Sequence, residues 1–271
     1  MSVTRPSLIV PAALLVFMTL AGCGPGGING SVNVPEGGSE ENATTINGGV
    51  NVGDGARVGQ AATVNGGVRI GQNATVDSAK TVNGGISIGR GTRVSEDVVT
   101  VNGGVRLGEG SDVTGEIVNV NGGISLSAAH VGRGITTING DIHIGRGSHV
   151  EGGIRVKKPD ADWSSHGREP RIVIGPESVV DGPLKFERPV RLYVSNTAKI
   201  GKVEGATPES FDGERPHGNA HRERSRDWDD TVDEDMQDEA SSGEDEDNVP
   251  APPAPAAPPA PPATMGGPER V

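Results

Sequence analysis

Residues 63–80 read TVNGGVRIGQNATVDSAK. Val64, Val68, Ile70, Ala74 and Val76 are apolar or small, and Arg69, Gln72, Thr75 and Asp77 are polar. Val68-Arg69-Ile70 and Ala74-Thr75-Val76 are in-out-in triplets six residues apart. Alternation with a period of two is the signature of a strand with one face buried. Gly66-Gly67 and Gly71 fall between the triplets, where a tight corner needs backbone angles that side chains resist. Eighteen residues therefore divide into three short faces of six.

The unit repeats along the chain. An [Ile/Val]-Asn-Gly step places Asn at 29, 47, 65, 83, 102, 121 and 139, with spacings of 18, 18, 18, 19, 19 and 18. Seven copies at nearly constant spacing specify a solenoid. The fold class expected is all-β: a single-stranded triangular β-helix of about 18 residues per coil, stacked at about 4.8 Å. Equivalent residues then form ladders. Val50, Val68, Ile86, Val105, Ile124 and Ile142 are expected to form one interior ladder, and Ile46, Val64, Val82, Val101, Val120 and Ile138 another. Ala56, Ala74, Thr92 and Ser111 mark a narrow corner, and the one-residue insertions of the 19-residue coils should bulge outward. Asn29, Asn47, Asn65, Asn83, Asn102, Asn121 and Asn139 line up as a ladder. Stacked amides could hold a ligand or cation, but Asn also tolerates left-handed turns and bonds to its own copies at coil spacing, which makes the ladder structural.

Composition agrees with a thin core. The chain has 271 residues and only six aromatics, none between Ile28 and Val156. Its single Cys excludes a disulfide framework and a thiolate zinc site. Net charge is −12, yet Asp227–Asp247 alone carries 12 acids and no base, so the remainder balances at 24 against 24. No basic footprint for nucleic acid exists.

The ends differ from the middle. Arg5 followed by the apolar run Leu8–Leu20 has the form of an export signal, too short to span a bilayer as a helix. Leu20-Ala21-Gly22-Cys23 resembles the lipobox of bacterial lipoproteins. That resemblance implies cleavage before Cys23, acylation of Cys23 and anchoring in the envelope by several acyl chains. Gly24, where Asp favours inner-membrane retention in proteobacterial lipoproteins, implies the outer membrane. From about 205 onward the acidic block and the Pro250–Pro262 run PAPPAPAAPPAPP are expected to be disordered. The organisation expected is a signal peptide over 1–22, a lipidated tether over 23–27, a β-helix over 28–204 and a tail over 205–271. Within the β-helix, regular coils occupy 28–156, a loop 157–170, and closing coils with a cap 171–204, where Phe186 and Tyr193 are expected to close the end.

Ile70-Gly71-Gln72-Asn73-Ala74-Thr75-Val76 and Ile88-Gly89-Arg90-Gly91-Thr92-Arg93-Val94 resemble the glycine-punctuated coils of bactofilins, polymer-forming bacterial cytoskeletal proteins, and of hexapeptide acyltransferases. The Val-Asn-Gly-Gly units and Ile138-Asn139-Gly140-Asp141-Ile142 also resemble the adhesin-like β-solenoids of bacterial envelopes. An acyltransferase needs a His base at a groove between subunits. His143 and His149, six apart, belong to adjacent faces and do not converge, while His130 falls near the small-residue corner. No Ser-His-Asp order, phosphate loop, metal-ligand spacing or carboxylate column emerges. The expectation is thus no catalytic residue, cofactor or metal ligand, and no enzyme. The role implied is a membrane-anchored structural or adhesive envelope lipoprotein, touching cell wall or glycan. The alternative is a self-associating bactofilin-like scaffold, and a glycan-active enzyme ranks third.

Overall fold

The computed structural model describes residues 27–159, 168–213 and 216. These form a parallel, single-stranded β-solenoid with three faces and, among the described residues, no helix. The first face is a sheet of ten short strands from Val32–Val34 to Pro208–Phe211, each hydrogen-bonded to its counterpart one coil away. The second and third faces form one 16-stranded sheet. They are joined because the first three coils run through the corner as single nine-residue strands, Ser39–Asn47, Arg57–Asn65 and Thr75–Asn83. From the fourth coil the two faces separate into pairs such as Arg93–Val94 and Val98–Asn102. Ten rungs at strand spacing give a stack of about 45 Å.

The first face keeps the expected register. Val50, Val68, Ile86, Val105, Ile124 and Ile142 align one coil apart, continue to Ile172 and Leu192, and are all no more than 1% exposed. Each contributes the roughly 1.5–3 kcal/mol of a buried aliphatic side chain. Ala56, Ala74, Thr92 and Ser111 are buried at the narrow corner, joined by Ala129, Ser148 and Ser178.

The third face corrects the second expected ladder. Ile46, Val64, Val82, Val101, Val120 and Ile138 point outward and are half-buried, not interior. The inward column is the residue before each: Thr45, Thr63, Thr81, Thr100, Asn119 and Thr137. The cause is a phase slip at the corner. Ser78 and Ala79 are both buried within one strand, so alternation resumes one residue earlier than equal hexads require. A buried hydroxyl needs a partner. Thr63 Oγ1 donates to the Gly48 carbonyl, Thr81 Oγ1 to Gly66 and Thr100 Oγ1 to Gly84, at 2.8, 2.8 and 3.0 Å. Asn119 Nδ2 donates to the Gly122 carbonyl at 2.8 Å in the same column.

After the Asn column, Gly66, Gly84 and Gly103 are required for a reason different from left-handed backbone. A Cβ on Gly66, Gly84 or Gly103 would lie 2.0, 1.9 and 1.9 Å from the carbonyl oxygen of the glycine one coil below. Here the coils approach too closely for any side chain. Positive φ recurs most regularly at the corner between the first and second faces, in Gly37, Gly55, Asn73, Gly91, Gly110, Ala128, Gly147 and Glu177, and after the Asn column it occurs at Gly30, Gly48 and Gly122.

Past Val156 the register survives a long excursion. Ile142 pairs with Ile172, 30 residues on, so the surplus leaves the solenoid between Val156 and Arg171. Asp141 holds its returning end by accepting from the Arg171 amide at 2.8 Å and pairing with Arg168. Residues 160–167 of the expected loop, like Cys23 and the acidic and Pro/Ala tail, lie outside the described residues. The stack continues beyond 204, because Pro208–Phe211 pairs with Arg191–Ser195. Phe186 and Phe211 are buried toward this end, whereas Tyr193 faces outward under the Arg171 guanidinium, 5.1 Å from the ring centre. Tyr193 sits at a strand's outward position and so cannot enter the core.

Candidate functional site

Every outward residue recurs at coil spacing, so the candidate surfaces are columns. The Asn column is one hydrogen-bonded chain. Asn47 Nδ2 donates to Asn29 Oδ1 at 2.9 Å, and the pattern passes through Asn65, Asn83, Asn102 and Asn121 to Asn139 at 2.9–3.0 Å. Arg188 donates to Asn139 Oδ1 at the last rung. Each amide uses one N–H and one lone pair along the stack, which leaves one of each toward solvent. A shorter amide pair, Asn51 Nδ2 to Asn33 Oδ1 at 2.8 Å, stands on the first face.

Beside the Asn column runs the outward apolar one. Ile28, which aligns with Ile46, opens it and is 69% exposed. It continues as Ile46, Val64, Val82, Val101, Val120 and Ile138, with Val99 and Val118 as further outward neighbours. Beyond Ile138 the third face turns cationic. Arg133, Arg155, Lys157 and Lys185 line an open groove of about 450 Å³ together with Glu116 and Val118.

The second face carries a group of ionisable side chains that hexad spacing alone leaves scattered. Strands His130–Val131 and His149–Val150 bury their valines, so alternation turns both histidines outward. The parallel register stacks Asp112, His130 and His149 in consecutive coils. The two rings lie 5.4 Å apart, centre to centre, tilted by 54°. Asp112 Oδ1 is 2.7 Å from His130 Nδ1, and Glu151 Oε1 is 3.1 Å from His130 Nε2. His149 Nε2 is 2.6 Å from Asp181 Oδ2. Arg93 approaches the outer oxygen of Asp112 at 3.5 Å. The Asp112 hydrogen bond raises the His130 pKa above its ordinary value; partial desolvation opposes it and Glu151 reinforces it.

The structure keeps His143 on the first face and His149 on the second, as six-residue spacing requires. The informative spacing is the 19 residues between His130 and His149, which is one coil on the same face. That signal was present in the sequence once the register of the irregular coils is known. Comparisons of the chain with protein-family models, with curated proteins and with solved structures return no match.

Proposed function

We propose that this chain is an envelope lipoprotein, anchored through acylated Cys23, that holds a rigid solenoid at the membrane surface and presents its repeated columns to the cell envelope. The carrying observation is the distance between anchor and rod: the first strand begins at Gly27, four residues after Cys23. A tether that short keeps the first coil at the membrane, with about 45 Å of ladder extending from it. The Asn column offers regularly spaced donors and acceptors suited to the hydroxyls of a glycan, and the cationic groove on the third face suits acidic groups. Membrane fractionation tests the reading. The parent chain is expected in the membrane pellet, released by detergent and not by salt, and Cys23→Ala in the soluble fraction. Equal partition of the two chains overturns it.

One observation favours a second reading, a self-associating scaffold. The outward column from Ile28 to Ile138 is a flat β-branched stripe along most of the stack, suited to a second copy packed side by side. Sedimentation velocity of the Cys23→Ser chain is expected to show concentration-dependent association that Val82→Lys with Val101→Lys abolishes. A monomer at every concentration rejects this reading and leaves the first intact.

A further inference from the structure

The histidine–carboxylate group on the second face has the composition of a metal site. One ligand atom each from His130, His149 and Glu151 lies within 4.8 Å of the other two. His130 Nε2 and Glu151 Oε1 are already 3.1 Å apart. Two ligands bound tetrahedrally to zinc at about 2.0–2.2 Å stand about 3.3–3.5 Å apart, so this pair is spaced to share one ion. The His149 nitrogen must close by little more than 1 Å, within reach of a side-chain rotation on an open face.

Two further features point the same way. Asp112 bonds His130 Nδ1 at 2.7 Å, so this carboxylate fixes the tautomer that leaves Nε2 free to bind metal. Arg93 pairs with Asp112, while Glu151 and Asp181 face the histidine rings, and two carboxylates beside neutral imidazoles favour a divalent cation there. Imidazole with carboxylate selects zinc and its transition-metal neighbours over calcium or magnesium, which prefer all-oxygen sites.

We propose that His130, His149 and Glu151 bind a divalent transition-metal ion, zinc first, on the outer second face, with Asp112 orienting His130. The ion would bridge two consecutive rungs, that of His130 and that of His149 and Glu151. It would staple the Leu126–Val131 corner, one residue shorter than the corresponding corners Leu107–Val113 and Ile144–Val150, to the coil that follows.

The test uses the full chain carrying Cys23→Ser, so that no thiol competes, with zinc alone as titrant near neutral pH. One zinc per chain is expected to bind more tightly than any further zinc, and cobalt in its place to give the visible absorption of a tetrahedral site. His130→Ala with His149→Ala should weaken that zinc at least about tenfold, and Glu151→Gln and Asp112→Asn each by about tenfold. Circular dichroism should show every variant folded, as expected for outward substitutions. Calcium titration reports the tail carboxylates and should be unchanged by the histidine substitutions. Zinc affinity in the double-histidine chain equal to that of the parent overturns the proposal and assigns the ion to the tail. Absence of a tight zinc in the parent overturns it equally.

Discussion

Thr63 and Val64 differ by one methyl against one hydroxyl, and the fold places them against the usual preference of each. Thr63 is fully buried and Val64 half-exposed, because a Thr hydroxyl inside the third face captures the carbonyl of a glycine corner that would otherwise lack a partner at that point. Thr63→Val should therefore destabilise by about 1 kcal/mol, the net worth of a buried hydrogen bond. Val64→Thr should stay within about 0.5 kcal/mol. Urea denaturation of the two variants checks the pair, and the reverse ranking would restore Val64 to the core. His130 supplies a pH dependence. Its folded pKa is raised by Asp112, so its stabilising contribution is complete below the unfolded value near 6.5 and fades as pH rises through the folded value. In chelator, the parent should gain stability over His130→Gln as pH falls from 8 to 6, by well under 1 kcal/mol because the ring is 36% exposed. Thermal unfolding at the two pH values reads the difference, and a gain in the opposite direction would remove the Asp112 pairing. Hydropathy made the first-face valines legible and hid the third-face inversion, since β-branched Thr and Val fit either side of a strand.

At the scale of a coil, the Asn spacings conceal two compensating changes. From the fourth coil the second corner gains a residue: Val94 and Val98 are four apart where Val76 and Ala79 are three. The return to 18 between Asn121 and Asn139 does not remove it. A residue is lost instead between Leu126 and Val131, and Ala128 takes the left-handed angle, φ 44°, that a glycine holds in several other coils. Because one spacing sums both events, the sequence makes the coil length legible but not which corner changed, and with that corner goes the alignment of His130 with His149. The glycine corners were legible in position and only partly in cause, since Gly48 and Gly122 hold the positive φ expected while Gly66, Gly84 and Gly103 answer to the close approach of the coil below. Gly103→Ala should cost more than about 2 kcal/mol, since its Cβ would meet the Gly84 carbonyl oxygen at 1.9 Å and the coil stack must open to admit it. Chemical denaturation checks this, and a loss below about 0.5 kcal/mol would show that coil spacing is looser than the ladder bonds require.

Across the whole molecule, the solenoid was legible from one 18-residue unit because each coil needs the next to bury its inward residues. Its extent was less so. The final strand, Pro208–Phe211, carries no repeat signature except a single buried Phe, and the excursion after Val156 interrupts the period without disturbing the register. The candidate site divides in the same way: the Asn column follows directly from the repeat, while the histidine group follows only from the three-dimensional register. In the lipoprotein proposed here only four residues separate the lipid at Cys23 from the first strand, so the proposal stands or falls on the chemistry of Cys23. Mass spectrometry of the N-terminal peptide from membrane-extracted protein tests it directly. The expected result is a chain that begins at Cys23 and carries acyl mass on that residue. A mature chain that begins elsewhere, or one with an unmodified Cys23 thiol, would contradict it.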